Sequence, residues 1–542
     1  MEWRGTWRGF KIVWLTLKSL LVQVRTNFSS PTFLQVLILL SHIIQIKPRN
    51  SMICITKNIF LNTLFCPTFG WRLAKGKIPK ELGPTTLFRM EEGKEIGRRA
   101  RAVFPDGVFV RETEHVTAAR RTAECLQEPS CRNIFEGAFL FENYIARADI
   151  LTRATDDYGW DLIEVKSSVN QKAEFIDDMA YTTLIAQEAG FSPNAVKLML
   201  VNRNYRLGMD PQKLFQTVDC TEQVMARVND FTSYLPIIGR LISQPIEPEP
   251  ILSYKCKNCE QFPECTGKDI DCPIFTIPRL QQKKADEMIE QGVVCVQDIP
   301  DDFPLSANQK KVVECVKCGV VRVDPVIKDM LQEIQWPACY LDFETTMTAL
   351  PLYPGIGPYE KIPTQYSIHF CNECGCVNIH REYIADPKTD CRREFAERLL
   401  EDLAGEGSII TYSSFEKTVI RAVAASFPDL EEPLKQIINR IVDLEKFVHR
   451  LDHPEFRGKT SIKVVLPVLV PDLSYDGLQI ANGDMAMVRF AMMAREMIPE
   501  HEWEDTCVAL LEYCKMDTLA MVRLHEALER MVNSELGDGG ER

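Results

Sequence analysis

The chain has 542 residues, of which 45% are hydrophobic and 26% charged, a composition that argues against wholesale disorder and fibrous classes. At roughly 150 residues per domain, this length predicts two to four domains. The formal net charge of −13 excludes a uniformly basic coat for nucleic acid, although it is compatible with a local basic channel.

Residues 1–51 differ in composition from the rest of the chain. They contain seven Lys and Arg residues against a single acidic residue, Glu2. Two apolar runs, 12–24 and 33–46, are both shorter than the roughly 20 apolar residues that cross a bilayer. We predict a non-core N-terminal extension, with Met52 as the true start of the protein; a targeting segment is the alternative.

The next stretch, residues 52–275, mixes strand and helix patterns and is predicted to form one αβ domain. Apolar patterns predict strands at 138–140, 145–151, 162–165 and 196–201, and a helix at 178–189. Residues 276–335 are polar, with helical spacing and proline-marked breaks, which predicts a helical connector.

A second αβ domain is predicted for residues 336–533. It begins with an apolar strand at 338–344 and ends with a helix over about 504–532. The polar, glycine-containing residues 534–542 predict a flexible tail. The predicted fold class is therefore α/β, with two αβ domains joined by a helical connector.

A first set of charged residues suits phosphodiester hydrolysis. Asp149 ends one predicted strand, and Glu164 and Lys166 lie on the next, two residues apart and therefore on one face. Two carboxylates bind a hard divalent ion, and a lysine beside them orients water and offsets transition-state charge. Glu136 is a candidate for a further carboxylate, contributed by a neighbouring element. The alternative is an exposed hairpin with ordinary surface charge.

The cysteines form a second pattern. Cys256, Cys259 and Cys265 follow one another closely, with Cys272 further on, among 19 cysteines in all. Three neighbouring thiolates suit a soft metal or an iron–sulfur cluster, which takes four ligands. A zinc site would use Cys272 as its fourth ligand, whereas a cluster would take a distant one, for which Cys66 is the candidate.

With these motifs, residues 52–275 resemble the RecB-like branch of the PD-(D/E)XK nucleases, including CRISPR-associated exonucleases of that branch. The resemblance implies a [4Fe–4S] cluster that joins the two ends of the domain, together with a nuclease centre. The implied cluster ligands are Cys66, Cys256, Cys259 and Cys265, and the implied nuclease residues are Asp149, Glu164 and Lys166.

A second carboxylate pattern lies in the C-terminal half. Asp342 and Glu344 share one face of an apolar strand, and Tyr513 and Asp517 share one face of the final helix. Two-metal phosphodiester cleavage uses about four carboxylates and a group that orients water, a role suited to Tyr513. Glu416 is the candidate for the fourth carboxylate.

These residues resemble the DEDD 3′–5′ exonucleases of the ribonuclease H-like fold, in the variety with tyrosine in its last motif. The family usually has aspartate where this chain has Glu416, and Asp443 is the second choice for the fourth carboxylate. The two halves together resemble an uncharacterised prokaryotic family with this two-nuclease layout. Shared phrases include residues 359–369 and 461–467.

The resemblances imply a PD-(D/E)XK restriction-endonuclease-like domain followed by a ribonuclease H-like domain. We expect a cytoplasmic, metal-dependent nuclease, acting as an exonuclease on single-stranded DNA ends, with RNA as the other substrate, in DNA repair or defence. The expected cofactors are Mg²⁺ or Mn²⁺ at the carboxylates and a structural [4Fe–4S] cluster. The expected partner is nucleic acid, with no membrane association.

The alternative function is a nucleic-acid-binding or scaffold protein with one or both nuclease centres inactive. Three departures from the families support it. The early helix with Glu92 and Glu95 lacks the usual metal-binding histidine, the helix around Asp178 lacks the usual Gln-x-x-x-Tyr, and Glu416 replaces aspartate.

Two smaller patterns leave alternatives open. Gln365, His369 and Lys463 are candidate substrate contacts, although Gln365 and His369 are equally explained as hydrogen-bonded strand residues. The cysteine pair at 315 and 318 and the three cysteines at 371, 374 and 376 suggest a four-cysteine zinc site. The alternative is a hairpin tip that carries cysteines without a metal.

Overall fold

The computed structural model describes residues 53–79, 82–154 and 159–537, with side chains described up to residue 534. The predicted extension at 1–51 and the end of the predicted tail, 538–542, lie outside the described residues. From Cys54 onward the described chain belongs to one compact unit. How the predicted domain boundaries divide that unit stays a prediction.

The helices occur throughout the described chain, and their bounds are as follows. They are α1 (Lys57–Phe65), α2 (Pro67–Ala74), α3 (Pro84–Arg101), α4 (His115–Gln127), α5 (Ala173–Glu188), α6 (Thr221–Thr232), α7 (Leu235–Ser243), α8 (Gln282–Glu290), α9 (Ala307–Cys318), α10 (Val326–Gln332), α11 (Arg392–Asp402), α12 (Phe415–Ser426), α13 (Glu431–Arg440), α14 (Glu445–Val448), α15 (Ile462–Leu469), α16 (Gly483–Ala494) and α17 (Trp503–Gly537).

The strands belong to three sheets. They are β1 (Val108–Phe109), β2 (Asn133–Phe141), β3 (Tyr144–Arg153), β4 (Trp160–Lys166), β5 (Val196–Val201), β6 (Phe215–Asp219), β7 (Arg322–Val323), β8 (Ala338–Thr346), β9 (Ile362–Cys371), β10 (Val377–Ile384), β11 (Ile409–Thr411), β12 (Ile441–Asp443) and β13 (Leu451–Asp452). The first sheet has the order β1-β2-β3-β4-β5-β6, the second has β10-β9-β8-β11-β12, and β7 pairs with β13.

The first sheet is mixed. Strands β2, β3 and β4 run antiparallel to one another, β5 is parallel to β4, and β6 is antiparallel to β5. Most residues of β4 and β5 are buried, on both faces of these central strands. Helix α5 covers one face of the sheet, and Tyr181 from this helix donates a hydrogen bond to the carbonyl of Ile145.

In the second sheet, alternate side chains of strand β8 face two different parts of the core. Cys339, Leu341 and Phe343 of β8 face a core formed with α11, α12 and α13. The opposite face of β8 packs against α17, where Tyr340 lies in a core with Leu524. Because side chains alternate along a strand, Asp342 and Glu344 continue this α17-facing row.

Helix and loop residues next to the two larger sheets contact each other near both predicted centres. Glu92 of α3 accepts hydrogen bonds from the backbone N–H of Ala349 and from Arg495, which follows α16. The hydroxyl of Tyr359 donates to the carbonyl of Ser167, directly after β4. The first sheet is therefore held against the loop that joins β8 to β9.

The mixed α/β class predicted from the sequence is confirmed. The predicted strand at 196–201 coincides with β5, and the other predicted strands are confirmed with longer bounds. Residues 276–335 contain helices α8 to α10, in keeping with their polar helical spacing. Among the described residues, no helix combines the length and apolarity needed to cross a membrane.

Two candidate metal centres and a cysteine quartet

The first carboxylate set lies where β3 and β4 separate. The register Ile150 opposite Ile163 brings the next pair, Asp149 and Glu164, side by side on neighbouring strands. The carboxylate of Asp149 accepts a hydrogen bond of 2.7 Å from the backbone N–H of Val165. The structure therefore brings together the two carboxylates that the sequence pattern suggested.

Glu164 is held by two ammonium groups. Its Oε1 atom lies 2.8 Å from Nζ of Lys57 and 3.0 Å from Nζ of Lys166. The side chain of Glu164 is 3% exposed, and its second oxygen, Oε2, has no hydrogen-bond partner among the described residues. Burial opposes ionisation, but the two lysines outweigh it and lower the pKa of Glu164.

Two residues of this centre were missed by sequence reasoning. Lys57 begins α1, more than a hundred residues before Glu164, and Asp178 lies on α5. Asp178 forms an ion pair with Lys166 and lies 3.8 Å from Lys57. Asp178 belongs to the segment where the family's Gln-x-x-x-Tyr is absent, so the helix still supplies a polar partner to Lys166.

Asp149 faces an open cleft of about 480 Å³ whose lining also includes Glu136, Lys94 and Arg101. Burial and the charge of Glu164 raise the pKa of Asp149 to about 8. Burial also raises the pKa of Glu136. Glu136 has a backbone φ of +56°, a left-handed conformation that a glutamate adopts only when its surroundings enforce it.

The residues of helix α3 that line this cleft include no histidine. Gly93 and Gly97 line the cleft, and a Cβ atom added at Gly93 would meet nothing within 4 Å. Glu92 points the other way, towards Arg495, at 2.7 Å. Glu95 pairs with arginines of its own helix. Helix α3 therefore contributes basic residues and glycines to the cleft.

The second carboxylate set assembles from three elements. Strands β8, β11 and β12 are parallel, with Ile410 opposite Tyr340, so the chain leaving β11 passes Asp342. Glu416 lies in the first turn of α12, which follows that strand end. Carboxylate oxygens of Asp342, Glu344 and Asp517 all lie within 4.8 Å of one another.

Burial and mutual repulsion dominate the electrostatics of this set. The pKa of Asp342 is raised well above its ordinary range by burial and then by the charges of Asp517, Glu416 and Glu344. Burial with neighbouring carboxylates raises the pKa of Glu344 to about 8, and burial raises that of Glu416 to about 8. The pKa of Asp517 is also raised by burial.

Two tyrosines and a lysine surround Asp517. Tyr475 donates a 2.6 Å hydrogen bond to Oδ1 of Asp517, and hydrogen bonding from Tyr513 also opposes the rise in its pKa. Nζ of Lys463 lies 3.2 Å from the hydroxyl of Tyr513. Lys463, predicted as a substrate contact, is therefore placed beside the predicted water-orienting tyrosine. Tyr475 was missed, because a lone tyrosine in a loop has no motif.

The structure places both candidates for the fourth carboxylate. Glu416 is 3% exposed, and its charge raises the pKa of Asp342. Asp443 ends β12, the outer strand, and acts on Glu416 through its charge. One oxygen of Asp443 accepts a hydrogen bond from the backbone N–H of Glu445. Glu416 therefore fits the position of the fourth carboxylate better than Asp443 does, because Asp443 caps the following turn.

Gln365 and His369 lie inside the protein. Gln365 is 1% exposed and donates to the carbonyl of Leu510, and His369 is 3% exposed and hydrogen-bonds to Thr518. Both contacts join β9 to α17. Of the two explanations left open by the sequence, hydrogen-bonded strand residues therefore fit this structure better than substrate contacts.

The cysteine quartet is brought together by packing of the first domain's two ends. Burial, followed by the thiols of Cys256, Cys66 and Cys265, raises the pKa of Cys259. Nζ of Lys255 donates to the carbonyl of Leu64, two residues before Cys66. All 19 cysteines of the chain are free thiols.

The other cysteine alternatives are placed elsewhere. Cys272 is 2% exposed and lies in an apolar core with Ile274 and Phe275, against which Cys256 also packs. Its Sγ atom lies 3.7 Å from Oγ1 of Thr276. The Sγ atom of Cys315 is directed to the carbonyl of Val320.

The chain is similar to a protein family over part of its second half and to a distant relative. A family model described as "Domain of unknown function (DUF2779)" matches residues 339–461, which include Asp342, Glu344 and Glu416. The chain is similar to the "Uncharacterized protein MG366 homolog" of Mycoplasma pneumoniae, with 24% identity over 240 residues. That match covers 40% of this chain and 36% of the relative, so the chain spans little more than a third of the relative's length. No solved structure matches.

Proposed function

We propose that this protein is a metal-dependent nuclease with a PD-(D/E)XK-like first domain and a ribonuclease H-like second domain. The observation that carries the proposal is the convergence of Asp342, Glu344 and Asp517, with Glu416 beside them, in a buried site. Four buried carboxylates repel one another unless they are protonated or bound to cations. Oxygen-rich sites of this kind suit Mg²⁺ or Mn²⁺.

In the second centre, Asp342, Glu344, Glu416 and Asp517 would hold the ions. Divalent ions, when bound there, supply Lewis acidity for phosphodiester hydrolysis. Tyr513 hydrogen-bonds to Asp517 and receives a hydrogen bond from Lys463, so its hydroxyl is oriented to position a water. Tyr475 fixes the Asp517 carboxylate at 2.6 Å. The ammonium of Lys463 is placed to offset negative charge on a phosphate.

In the first centre, Asp149 and Glu164 would hold a divalent ion. Asp149 faces the cleft, and Glu164 lies behind it with its unpartnered Oε2 atom. Lys166 is fixed by its ion pairs to Glu164 and Asp178, an arrangement that holds its ammonium close to any water near the ion. Lys94 and Arg101 line the same cleft and suit backbone phosphates.

The cysteine quartet fits a [4Fe–4S] cluster better than a single zinc ion. With Zn–S bonds of about 2.3 Å, a tetrahedral zinc site needs sulfur–sulfur distances of about 3.8 Å. No three donors of this quartet, whose residues are all described, lie within 4.8 Å of one another. The other three thiols are nevertheless near enough to add to the rise that burial causes in the pKa of Cys259. The role assigned to the cluster is structural.

Single-stranded DNA ends are the proposed substrate. Glu416 and Asp517 are buried and Asp342 and Glu344 are half-buried, so a narrow strand reaches these carboxylates more easily than a duplex does. Lys94 and Arg101 in the lining of the first cleft would supply sequence-independent phosphate contacts. DNA repair or defence would be the corresponding process, and RNA is the competing substrate.

Cleavage of an end-labelled single-stranded DNA and a matched RNA by the full chain with Mn²⁺ tests this proposal. Lys166→Ala and Asp342→Ala disable one centre each. Loss of cleavage in one variant alone identifies the active centre, and the product ladder gives the polarity. Intact DNA and RNA in the presence of binding would contradict the nuclease proposal.

A nucleic-acid-binding protein is the second candidate, and one observation favours it. Lys57 and Lys166 together balance the charges of Glu164 and Asp178, so these four groups are neutral without a divalent ion. This charge balance is consistent with a first domain that binds the nucleic acid while the second domain hydrolyses it. The cleavage test separates these cases, because binding alone leaves the labelled DNA intact.

A further inference from the structure

A turn of the second sheet lies against the C-terminal half of α17. The turn, residues 372–376, joins β9 to β10. A Cβ atom added at Gly375 would lie 3.2 Å from Cδ of Glu526, so the turn and the helix are in close contact there. Two of the cysteines that sequence reasoning grouped with the pair at 315 and 318 lie in this turn.

Three different metal-binding donors meet at this contact. One ligand atom each from Cys374, His525 and Glu529 lies within 4.8 Å of the other two. His525 and Glu529 are one helical turn apart on α17, and Nε2 of His525 lies 3.8 Å from Oε1 of Glu529. The turn therefore supplies a thiol to a histidine–carboxylate pair of the helix.

His525 has the surroundings of a metal ligand. Its side chain is fully buried, and its Nδ1 atom lies 2.7 Å from the hydroxyl of Tyr340. Its Nε2 atom is buried and has no hydrogen-bond partner among the described residues. A buried polar atom without a partner is costly. The ring stacks on Trp336 at 6.0 Å, which fixes its orientation.

Tyr340 also interacts with the thiol of Cys374. Its hydroxyl interacts with Cys374 as well as with Nδ1 of His525. When Nδ1 carries the proton and donates to Tyr340, the lone pair of Nε2 faces the other two donors. Outer hydrogen bonds of this kind set the tautomer and orientation of metal-binding histidines.

We propose that Cys374, His525 and Glu529 form a zinc site that joins the β9–β10 turn to α17. A thiolate, an imidazole and a carboxylate are the three ligand types that Zn²⁺ accepts in proteins, usually in four-coordinate geometry. Three protein donors leave the fourth position to water. This set replaces the four-cysteine site suggested by the sequence, because the missing partners come from the final helix.

The site would hold the final helix in register with the second sheet. His525 follows Asp517 by eight residues, which is about 12 Å along the helix. Tyr340, which contacts His525, precedes Asp342 by two residues on the same face of β8. An ion at this position would therefore fix the two elements that carry Asp342 and Asp517. The proposed zinc site does not depend on whether the protein is a nuclease.

Zinc content of the full-length purified chain, measured by mass spectrometry after dialysis, tests the proposal. We expect Cys374→Ser and Glu529→Gln each to contain about one zinc per chain less than the wild-type chain. His449→Ala is the matched control, because His449 pairs with Glu445 at the same helical spacing but forms no group of three metal-binding donors among the described residues. It should retain the wild-type zinc content.

Cobalt substitution provides a readout that does not depend on total metal. We expect the Co²⁺-loaded chain to show a thiolate-to-metal absorption component that Cys374→Ser lacks and Cys318→Ser retains. Cys374 is half-buried, and serine is nearly isosteric with cysteine, so the variant should fold. An unchanged zinc content and an unchanged cobalt spectrum in Cys374→Ser would overturn the proposal, as would a wild-type chain that takes up no zinc beyond the cysteine quartet.

Discussion

The two carboxylate centres differ in how their charge is compensated. In the first, Glu164 contacts Lys57 and Lys166, and Lys166 also contacts Asp178. In the second, Lys463 contacts the hydroxyl of Tyr513 and the carbonyl of Ala481. The charge of Lys463 opposes the rise in the pKa of Glu344, but burial outweighs it.

This difference predicts how strongly each centre binds a divalent ion. Lysines already satisfy Glu164, so a divalent ion entering the first centre competes with an ammonium for one carboxylate. In the second centre, the pKa values of all four carboxylates are raised, so their surroundings favour protonation and a divalent ion would displace the protons that are bound. We therefore expect stronger ion binding and the larger catalytic contribution at the second centre.

Asp342→Asn has the largest expected effect. It removes a carboxylate from the centre of the four, and a metal site of this type contributes several kcal/mol to hydrolysis, or about a thousandfold in rate. The measurement is the rate of Mn²⁺-dependent cleavage of labelled single-stranded DNA. Asp443→Asn is the matched control; a loss as large as that of Asp342→Asn would assign the fourth carboxylate to Asp443.

Cys256→Ser distinguishes cleavage by the first centre from cleavage by the second centre. We expect loss of bound iron and of the visible absorption of the anaerobically purified chain, because one of four cluster ligands is removed. Any cleavage that depends on Lys166 should fall with it, whereas cleavage that depends on Asp342 should persist. Cys272→Ser should retain the iron. A colourless wild-type chain with zinc at the quartet would contradict the cluster.

Lys57→Ala tests the competition between lysine and metal at the first centre. A hydrogen bond to a charged group contributes roughly 1.5–3 kcal/mol, so releasing Glu164 should raise Mn²⁺ affinity roughly tenfold. The measurement is Mn²⁺ titration in an Asp342→Asn background. Lys172→Ala, which removes a lysine paired with Glu174 on the surface, is the control. Weaker Mn²⁺ binding in Lys57→Ala would show that Lys57 supports the site.

Tyr475→Phe should have a smaller effect at the second centre. It removes the 2.6 Å hydrogen bond to Asp517 and leaves the ring, so we expect a rate reduction of roughly fivefold to tenfold. The pH–rate profile should also shift to higher pH, because this hydrogen bond holds down the pKa of Asp517. A rate loss without a change in the profile would indicate a packing role alone.

The smallest effect concerns stability of the metal-free chain against pH. Glu344 has its pKa raised from an ordinary 4.5 to about 8, so between these values the folded chain binds more protons than the unfolded chain. Stability is therefore full below pH 4.5 and falls as pH rises towards 8. We expect Glu344→Gln to reduce this fall in melting temperature by a few degrees. An equal fall in Glu344→Gln would contradict the raised pKa.

The sequence predicted the carboxylates well because each lies beside a buried strand with a clear pattern. Asp342 and Glu344 end an apolar run, and Glu164 and Lys166 alternate within another, so register follows from periodicity. Cys66 was assigned through the family resemblance, and the packing of the first domain's ends places it beside the other three cysteines.

The remaining contacts depend on tertiary packing that no local pattern encodes. Lys57 and Tyr475 are single polar residues on a helix and a loop, and their partners lie far away in sequence. The sequence paired the cysteine turn with Cys315 because both contain cysteines. The structure instead places Cys374 against His525, which a single histidine on a long helix does not reveal.

The number of Mn²⁺ ions bound by the full chain tests the central claim most directly. The claim is that four carboxylates, those of Asp342, Glu344, Glu416 and Asp517, form a two-ion centre. Equilibrium binding followed by electron paramagnetic resonance should show about two ions lost in Asp342→Asn, and most of the Mn²⁺ signal retained in Lys166→Ala. Unchanged Mn²⁺ binding in Asp342→Asn would contradict the claim and favour a protein that binds nucleic acid without hydrolysing it.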